Sequence, residues 1–240
     1  MISVKRVYEV LRDLANKEQR GFVSPGEFNT MAPVAQMAIY NKMWDEVLLA
    51  ESISRRNIDG QRGMSKINDV RNELAAYLKK EVKSSNTTVF AYPDDFYKLE
   101  SITTVGVELN GDTTAIPIDI TYDPFKITYI RKSTLSKPTL ERPVAVASSD
   151  LEVYPRSVPK IEIRYFCIPQ GRNTSTGART TGQPEYSYTI ISGDEVYYSS
   201  TSVDFDLPED REPELVIEMA GMIGTSLRDA ALINYGRQQN

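Results

Sequence analysis

The sequence predicts an α+β protein. An N-terminal helical bundle, completed by the C-terminal helix, is expected to carry an inserted antiparallel β domain of sandwich or barrel type. Apolar residues recur at helical spacing in 1–85 and again in 208–240, whereas 86–207 is rich in threonine, valine, isoleucine and tyrosine, which favour strands. We expect the last helix to pack against the first ones, which makes the β domain an insertion into a helical domain.

The first helix is predicted from about Ser3 to Asn16. Its apolar residues recur at helical spacing, at Val4, Val7, Tyr8, Leu11 and Leu14. We expect Gly21 to end the helix, because glycine readily adopts the left-handed conformation that is common just past a helix. Lys17 and Arg20 lie near that end, where the partial negative charge of the last carbonyl groups favours cations.

The second helix is predicted to begin with a capping box. Ser24 is the expected N-cap, Pro25 takes the first helical position, and Glu27 lies three residues after the cap. In this arrangement the serine and glutamate side chains each accept a hydrogen bond from the other residue's backbone amide. The join between the first two helices is therefore predicted to hold them at a fixed angle.

Two more helical segments are predicted before residue 85. After Pro33, apolar residues keep the helical period to about Arg55. The polar segment 57–63 contains two glycines and is expected to form a mobile loop. Ser65 is the predicted N-cap of a further helix, whose apolar face continues to Leu78 and which is expected to end near Lys83.

Strands are predicted through the middle of the chain. Asn110 and Gly111 lie between two of them, and Asn-Gly is the strongest short signal for a β-hairpin. In Lys160–Cys167 apolar residues alternate with charged ones, which indicates a strand with one buried face. The segment 123–137 is compatible with a short helix and a loop. The other predicted strands are 87–92, 97–109, 114–122, 144–147, 151–154, 186–191, 195–199 and 202–205.

Two segments near the C-terminal end complete the pattern. Residues 170–183 include no apolar residue larger than alanine, so the sequence predicts a flexible surface loop. Residues 207–213 form an acidic, proline-marked start to the last helix, as the positive end of a helix dipole prefers. The apolar face of that helix is predicted to comprise Leu215, Val216, Met219, Met222, Ile223, Leu227 and Ala230.

The composition excludes several kinds of chemistry. The chain of 240 residues has no histidine, which is the usual general base near neutral pH and the commonest metal ligand. Cys167 is the only cysteine, so the chain can form neither an intrachain disulfide nor a thiolate zinc cluster. The formal net charge of -5 argues against nucleic-acid binding over the whole surface. Without a bilayer-spanning apolar run or a signal-peptide pattern, a cytosol-like compartment is expected.

A catalytic role would have to rest on carboxylates. Asp94 and Asp95 follow a proline, and an acidic cluster that could hold a divalent cation is formed by Asp204, Asp206, Glu209 and Asp210. A proline turn and the acidic first turn of a helix explain the same residues without a site. Because no set of nucleophile, base and orienting group is recognisable, we expect no enzyme, no catalytic residue, and no metal or cofactor.

Four sequence blocks, in order along nearly the whole chain, carry a family resemblance. They are NKEQRGFVSPGEFN with the following APVAQMAIYNKMW; YPDDFYKLES; RPVAVA through LEVYP to IEIRY; and SVDFDLPED before a helix that contains SLRDA. Together these blocks resemble ring or adaptor proteins from the necks of short-tailed bacteriophages, particularly the crAss-like group that infects gut Bacteroidales.

The resemblance implies a structural virion protein without catalysis. Such proteins form a ring, commonly dodecameric, that joins the capsid portal to the tail and leaves a channel for DNA. The implied partners are further copies of the chain in a cyclic homo-oligomer, the portal protein, neighbouring ring or tail proteins, and genomic DNA that passes without sequence-specific binding; no membrane is involved. The implied location is the neck or tail of the virion, after assembly in the bacterial cytoplasm.

Four residues are candidates for interface or channel contacts. Arg172 and Arg179, in the predicted loop 170–183, could order against a neighbouring subunit or face the DNA channel, and a solvated loop is the alternative. Tyr235 and Arg237 could dock into the portal or another ring, and a frayed tail is the alternative.

Two other functions stay open from the sequence. The family resemblance is also compatible with another structural level of the virion, namely a second ring or a tail hub. A DNA-binding regulator is a different class: Arg55, Arg56 and Arg62 lie around a turn between helices, loosely as in helix-turn-helix proteins. Asp69 and Glu73 on the following helix disfavour that function, because carboxylates repel phosphate.

Overall fold

The computed structural model describes residues 1–17, 23–55, 60–109, 112–192 and 194–226. The chain divides into two compact units, which we call unit 1 and unit 2. Unit 1 comprises Met1–Glu73 and Pro169–Asn240, and unit 2 comprises Leu74–Ile168. Helices and sheets are both present in the described residues, so the predicted α+β class is confirmed.

The described part of the chain forms five α-helices and thirteen strands. The helices are α1 (Val4–Lys17), α2 (Pro25–Arg55), α3 (Gly60–Ala75), α4 (Pro124–Lys132) and α5 (Glu212–Ser226). The strands are β1 (Leu78–Ser84), β2 (Val89–Phe90), β3 (Phe96–Thr104), β4 (Val107–Leu109), β5 (Asp112–Thr114), β6 (Asp119–Thr121), β7 (Val144–Ala147), β8 (Leu151–Tyr154), β9 (Lys160–Cys167), β10 (Gly171–Asn173), β11 (Tyr188–Ile191), β12 (Asp194–Tyr197) and β13 (Val203–Phe205).

The predicted capping box at the start of α2 is confirmed. The Ser24 amide donates to Glu27 Oε2 over 3.2 Å, and the Glu27 amide donates to Ser24 Oγ over 3.2 Å. Pro33 lies inside α2 and, because proline has no amide hydrogen, donates no backbone hydrogen bond there. The helix nevertheless continues to Arg55. The predicted end of the first helix at Gly21, with Arg20, lies outside the described residues.

Helix α5 packs against α1 and α2 in unit 1, as the sequence predicted. Two ion pairs accompany this packing: Arg6 Nε lies 2.8 Å from Glu212 Oε1, and Lys42 Nζ lies 2.8 Å from Glu218 Oε2. Leu215, Met219 and Ile223 are buried on the apolar face of α5, which confirms those members of the predicted face. The members predicted beyond them, Leu227 and Ala230, lie outside the described residues.

The prediction for α3 was wrong at both ends. Gly60–Gly63, expected in a loop, are helical, and Ser65 lies inside the helix rather than at its N-cap. Helix propagation is cooperative, so one more hydrogen bond per residue can outweigh the intrinsic cost of glycine. The helix ends at Ala75, and Leu78 begins a strand. Residues 57–59 of the predicted loop lie outside the described part of the chain.

Strand β1 replaces the predicted last turn of that helix, because pairing with β9 decides its conformation. Seven residues pair in antiparallel register, from Leu78 with Phe166 to Ser84 with Lys160. The Cys167 amide donates to the Tyr77 carbonyl over 2.9 Å just before the strand. Exposure alternates along β1 with a period of two. The spacing of Tyr77 and Leu78 from earlier apolar residues is that of a helix. The backbone hydrogen bonds of this segment are instead made with β9.

The described strands of unit 2 form three sheets. One has the order β1-β9-β3, one has the order β2-β8-β7-β6, and β4 pairs with β5. Every pair is antiparallel, as predicted for this region, except β6 with β7, which is parallel. A parallel pair requires a crossover connection, and α4 lies in that connection. The described strands form no closed barrel.

Most strand predictions are confirmed by the pairing. Each predicted strand segment contains strand, and in β9 Ile161, Ile163, Tyr165 and Cys167 are buried, as the alternation predicted. Leu109 pairs with Asp112, which confirms the β4–β5 hairpin, although Asn110 and Gly111 themselves lie outside the described residues. The segment 123–137 contains the short helix α4.

Four strands lie in unit 1, together with α1, α2 and α5, whereas the other strands lie in unit 2. The four are β10, which pairs with β13, and β11, which pairs with β12. The division therefore differs from the predicted β domain 86–207, which placed all strands together. The reason is that β13 pairs with the N-terminus, where the Phe205 amide donates to the Ile2 carbonyl over 3.1 Å.

Residues 170–183 were predicted to be a flexible loop, and this was wrong. The Gly171 amide donates to the Gly182 carbonyl over 2.6 Å, and the Asn173 amide donates to the Ala178 carbonyl over 2.8 Å. A Cβ atom on Gly171 would lie 2.0 Å from Val203 Cγ1, so only glycine fits this approach of β10 to β13. Backbone hydrogen bonds therefore order a segment that lacks large apolar side chains.

We expect Asp204 to be needed in unit 1 as a hydrogen-bond acceptor and not as a charge. Its Oδ1 accepts the buried Val4 amide over 2.8 Å, and burial raises the pKa of Asp204, although the Val4 amide and the N-terminal ammonium act in the opposite direction. Replacing Asp204 with Ala leaves that amide unpaired and should lower the free energy of unfolding by about 2 kcal/mol, with the largest loss at low pH. Replacing it with Asn keeps the acceptor.

Comparison of Asp204→Asn with the natural chain also tests how the free energy of unfolding depends on pH. Because the folded pKa is raised, the carboxyl contributes stability below its unfolded pKa of about 3.9, and this contribution is lost as the pH rises through the folded pKa. The stability of Asp204→Asn relative to the natural chain should therefore increase as the pH rises from about 3.5 to 7. Urea unfolding of the three proteins across this range measures it, and a relative decrease would contradict the assignment.

Candidate assembly surfaces

In the described part of the chain, large exposed apolar side chains occur on α1, α2 and β1 as well as in two denser local groups. The hairpin surface, on both faces of the β11–β12 ribbon and on the residue that follows β12, comprises Tyr188, Ile190, Ile191, Val196 and Tyr198, with Ile190 and Ile191 on opposite faces. The α4 surface, on α4 and its flanking residues, comprises Tyr122, Phe125, Tyr129 and Leu135. Single exposed apolar residues are ordinary, but local groups of large ones mark interaction sites. These two surfaces are therefore the candidate functional sites.

The hairpin surface is held by an aromatic cluster at its base. The Tyr186 ring lies 4.3 Å from the ring of Tyr8 on α1 and 5.1 Å from that of Tyr197 on β12. Asn29 on α2 fixes the backbone of Tyr186, because its side chain accepts the Tyr186 amide over 2.8 Å and donates to the Tyr186 carbonyl over 3.1 Å. The hairpin is thus anchored to two helices of unit 1.

Electrostatic contacts reinforce the base of the hairpin. The Tyr8 hydroxyl donates to the Val23 carbonyl over 3.1 Å, and Glu195 Oε2 lies 3.4 Å from the same hydroxyl. Burial, together with Glu195, raises the pKa of Tyr8, so the hydroxyl stays protonated and available as a donor. Lys5 Nζ lies 5.4 Å from the centre of the Tyr197 ring, within the range of a cation–π contact.

The tip of the hairpin is exposed and apolar. Ile190 is 67% exposed, Ile191 is 55% exposed and Val196 is 41% exposed. All four residues of β11 are exposed, although a two-stranded ribbon that packs on a core ordinarily buries one face. The segment 185–199 includes three acidic residues, Glu185, Asp194 and Glu195, and neither lysine nor arginine. The hairpin segment is therefore apolar at its tip and acidic in its own residues, while Lys5 of α1 lies beside its base.

The α4 surface is built by a short, well-capped helix. Asp123 Oδ1 accepts the Phe125 amide over 2.9 Å, and Pro124 takes the start of the helix. Ile127 is the one residue of α4 that is buried. Phe125 and Tyr129 are one turn apart and share a face, on which they are 78% and 76% exposed. The helix thus presents aromatic rings to solvent.

The flanks of the α4 surface are basic. Segment 122–137 contains one acidic residue, Asp123, and four basic ones, Lys126, Arg131, Lys132 and Lys137. The Arg131 guanidinium lies 4.7 Å from the centre of the Tyr154 ring on β8, so this cation also ties the helix to the sheet. The surface combines exposed aromatic residues with positive charge, opposite in sign to the hairpin surface.

Neither surface was predicted from the sequence. Tyr122, Phe125 and Tyr129 recur three and four positions apart, which is the spacing of a buried helix face, so the pattern alone does not reveal their exposure. The hairpin residues likewise fit an ordinary half-buried strand. The excess of basic residues in 122–137 and of acidic residues in 185–199 was the signal available in the sequence.

Two of the predicted site residues, Arg172 and Arg179, are brought together around a buried carboxylate. Arg172 Nε lies 2.6 Å from Asp206 Oδ1, and Arg179 Nε lies 2.8 Å from Asp206 Oδ2. The Arg172 side chain also donates to the Gly177 carbonyl over 3.0 Å. The arginine side chains are 29% and 20% exposed, and that of Asp206 is 1% exposed. Both arginines therefore order their own segment of unit 1.

Gln36 on α2 completes this buried polar cluster. Its Oε1 accepts the Asp206 amide over 2.8 Å, and its Nε2 donates to the Gln170 carbonyl over 3.0 Å. The cluster joins α2 to the segments on both sides of the 170–183 region. The other two predicted site residues, Tyr235 and Arg237, lie outside the described residues.

Three of the four residues in the predicted acidic cluster have separate partners. Asp204 accepts the Val4 amide, Asp206 pairs with two arginines, and Glu209 lies 3.2 Å from the N-terminal ammonium. Asp95, in the other predicted carboxylate pair, bonds to Lys79 and to the Tyr165 hydroxyl. Within the described residues, no group of three or more His, Cys, Asp or Glu side chains is arranged to hold a metal ion.

A shallow groove lies between α2 and α5 in unit 1. Its volume is about 790 Å³, and it is lined by Lys42, Asp45, Glu46, Leu49, Glu214, Ile217 and Glu218. The nearby Arg211 is buried, lies 3.0 Å from Glu46 and from Glu73, and lies 3.1 Å from Glu214. Its hydrogen bond to Glu46, followed by that to Glu73, raises its pKa despite burial. The acidic groups here therefore serve an internal ion-pair network.

None of the helices in the described ranges is long and apolar enough to span a membrane.

We expect Asp206 to contribute more stability than a surface carboxylate does. Replacing Asp206 with Asn leaves Arg172 and Arg179 without their shared charge, and breaking a buried ion pair in this way should lower the free energy of unfolding by about 3 kcal/mol. Glu209→Gln is the matched control, because Glu209 is 77% exposed and such a pair contributes little. Urea unfolding compares the two variants, and equal effects would contradict the buried role.

The comparisons with known proteins leave the family open. No protein-family model matches the sequence, and no curated protein is significantly similar to it. The residues, charges and surfaces described above, together with the resemblance of the four sequence blocks, are therefore the basis on which a function is proposed for this chain.

Proposed function

We propose that the protein is a structural subunit of a bacteriophage neck. In this proposal, identical copies form a closed ring, commonly dodecameric in such proteins, between the capsid portal and the tail, with a central channel for DNA. The chain has no catalytic residue and no cofactor in this role. The four sequence blocks that resemble neck ring proteins suggest the location, and the two exposed surfaces supply the capacity to assemble.

The observation that carries the proposal is that one chain exposes two unlike apolar surfaces. A ring repeats one heterologous contact, so each subunit must offer two different surfaces, one to each neighbour. A two-fold dimer, in contrast, needs only one self-complementary surface. The hairpin surface and the α4 surface are made from different elements and carry opposite charge, which suits the heterologous arrangement.

Each surface is also anchored locally within its own unit, which is compatible with a ring. A small angular error in each subunit prevents closure, so the elements that bear the contacts must be held firmly. Asn29 and Tyr8 fix the hairpin on α1 and α2, and the Asp123 cap and Ile127 fix α4 within unit 2. Each surface therefore lies on an element with defined local geometry.

A DNA-binding regulator fits the structure less well. Glu73, on the helix that would have to enter a DNA groove, contacts the buried Arg211 over 3.0 Å, so this part of the helix belongs to the core of unit 1. Asp69 is exposed on the same helix and carries a charge that phosphate repels. No tight, salt-dependent binding of a short DNA duplex is expected.

Imaging and mass measurement test the proposed ring directly. We expect negative-stain images and native mass spectra of the purified chain to show closed rings, either alone or after addition of the portal protein from the same phage. The mass gives the copy number. A monodisperse monomer that does not bind the portal protein would contradict the portal-contacting role. Binding to the other tail proteins would then test whether the chain forms a distal ring or a tail hub.

Short duplex DNA is the control ligand for the competing function. If the chain remains monomeric or dimeric and binds the duplex tightly at low salt, with affinity falling steeply as salt is added, the regulator is favoured over the ring. We expect no such binding, because the chain is acidic overall.

A further inference from the structure

We propose that the α4 surface of one copy binds the hairpin surface of the next copy. This inference rests on the proposed function, since it assigns the contact that would be repeated around the ring. The occupant of each surface is therefore a second copy of this chain. Neither the sequence blocks nor the resemblance specifies which surfaces meet, so the assignment depends on the exposed residues alone.

The apolar parts of the two surfaces complement each other in kind. The α4 surface is mainly aromatic, with Phe125 and Tyr129 on one helix face, whereas the tip of the hairpin is aliphatic, with Ile190, Ile191 and Val196. Aromatic rings are frequent anchors in interfaces because each buries a large area with few rotatable bonds. Aliphatic side chains at a projecting tip can pack against the faces of such rings.

The size of the α4 surface is close to what a specific contact requires. Three aromatic side chains and one leucine, each more than two-thirds exposed, present on the order of 500 Å² of apolar area. A standard interface buries about 800 Å² on each partner, of which the apolar centre is only a part. The polar and charged residues around the aromatic residues would supply the remainder.

Charge decides which surfaces pair. Segment 122–137 has four basic residues and one acidic residue, and segment 185–199 has three acidic residues and no basic one. Contact between two α4 surfaces, or between two hairpin surfaces, would bring like charges together, which opposes association. Contact between unlike surfaces brings opposite charges together at the rim of an apolar centre. The favoured contact is therefore heterologous.

A crosslinking experiment with two single-cysteine variants tests this contact. Both variants carry Cys167→Ala, which removes the only native cysteine, a buried one. One then carries Tyr129→Cys and the other Ile190→Cys; both sites are exposed, so folding should be retained. The two proteins are mixed, assembled alone or with the portal protein, and treated with a short bis-maleimide reagent.

We expect the mixture to give crosslinked dimers that contain one copy of each variant, at least tenfold above either variant alone. Mass spectrometry of the linked peptides identifies the two cysteines. Crosslinks between two Tyr129→Cys copies, or between two Ile190→Cys copies, would indicate a symmetric contact and overturn the inference. Assembled rings that show no mixed crosslink would overturn it as well.

Serine variants give an independent measurement of the same contact. Phe125→Ser and Ile190→Ser should each weaken association at least tenfold, because each removes an apolar side chain from the centre of the contact. Val34→Ser is the matched control: Val34 is 58% exposed on α2, outside both surfaces, and its replacement should leave association unchanged. Thermal melting confirms that each variant is folded. Equal association for all three variants would overturn the inference.

The outcomes separate this inference from the proposed function. Closed rings without the mixed crosslink contradict the inference and leave the ring intact. The mixed crosslink in open dimers or filaments, with no closed ring, supports the inference and contradicts the ring, because a heterologous contact that does not close produces a filament. Monomers under all conditions, with or without the portal protein, contradict both.

Discussion

Unit 1 depends on two buried carboxylates at the end of one short strand. Asp204, in β13, accepts the amide at the start of α1, and Asp206, just after β13, holds Arg172 and Arg179 of the neighbouring segment. The Asp206 amide is in turn bound by Gln36 of α2. Buried polar groups are costly unless they are paired, so these contacts specify one arrangement of four distant parts of the chain.

This arrangement has a consequence for assembly. Because the polar cluster and the aromatic cluster around Tyr186 fix α1, α2 and the later strands within one unit, the β11–β12 hairpin has a defined base while its tip stays exposed. In unit 2, α4 follows the same principle, since one buried residue and a capped start hold it while its aromatic rings face solvent. Rigid bases with exposed apolar tips are what a repeated subunit contact requires.

Predictions from the sequence succeeded where the signal was local. The capping box at Ser24 and Glu27, the alternation in β9 and the hairpin from β4 to β5 depend on residues close in the chain, and all three are confirmed. They failed where a distant partner decided the outcome. The apolar residues at the start of β1 have helical spacing, but the segment pairs with β9 as a strand. The polar segment 170–183 is ordered by pairing with β13 and by the ion pairs of Asp206.

The sequence by itself determined the α+β class, the capped start of α2, most strands and the lack of histidine and of a second cysteine, because these depend on composition or on residues close together in the chain. Only the tertiary structure decided which apolar residues with the spacing of a core face remain exposed. The spacing of Phe125 and Tyr129 is that of a core face, yet both are exposed, because burial depends on what packs against a residue and not on its spacing. The same reason explains why Arg172 and Arg179, polar and expected at the surface, instead surround a buried carboxylate.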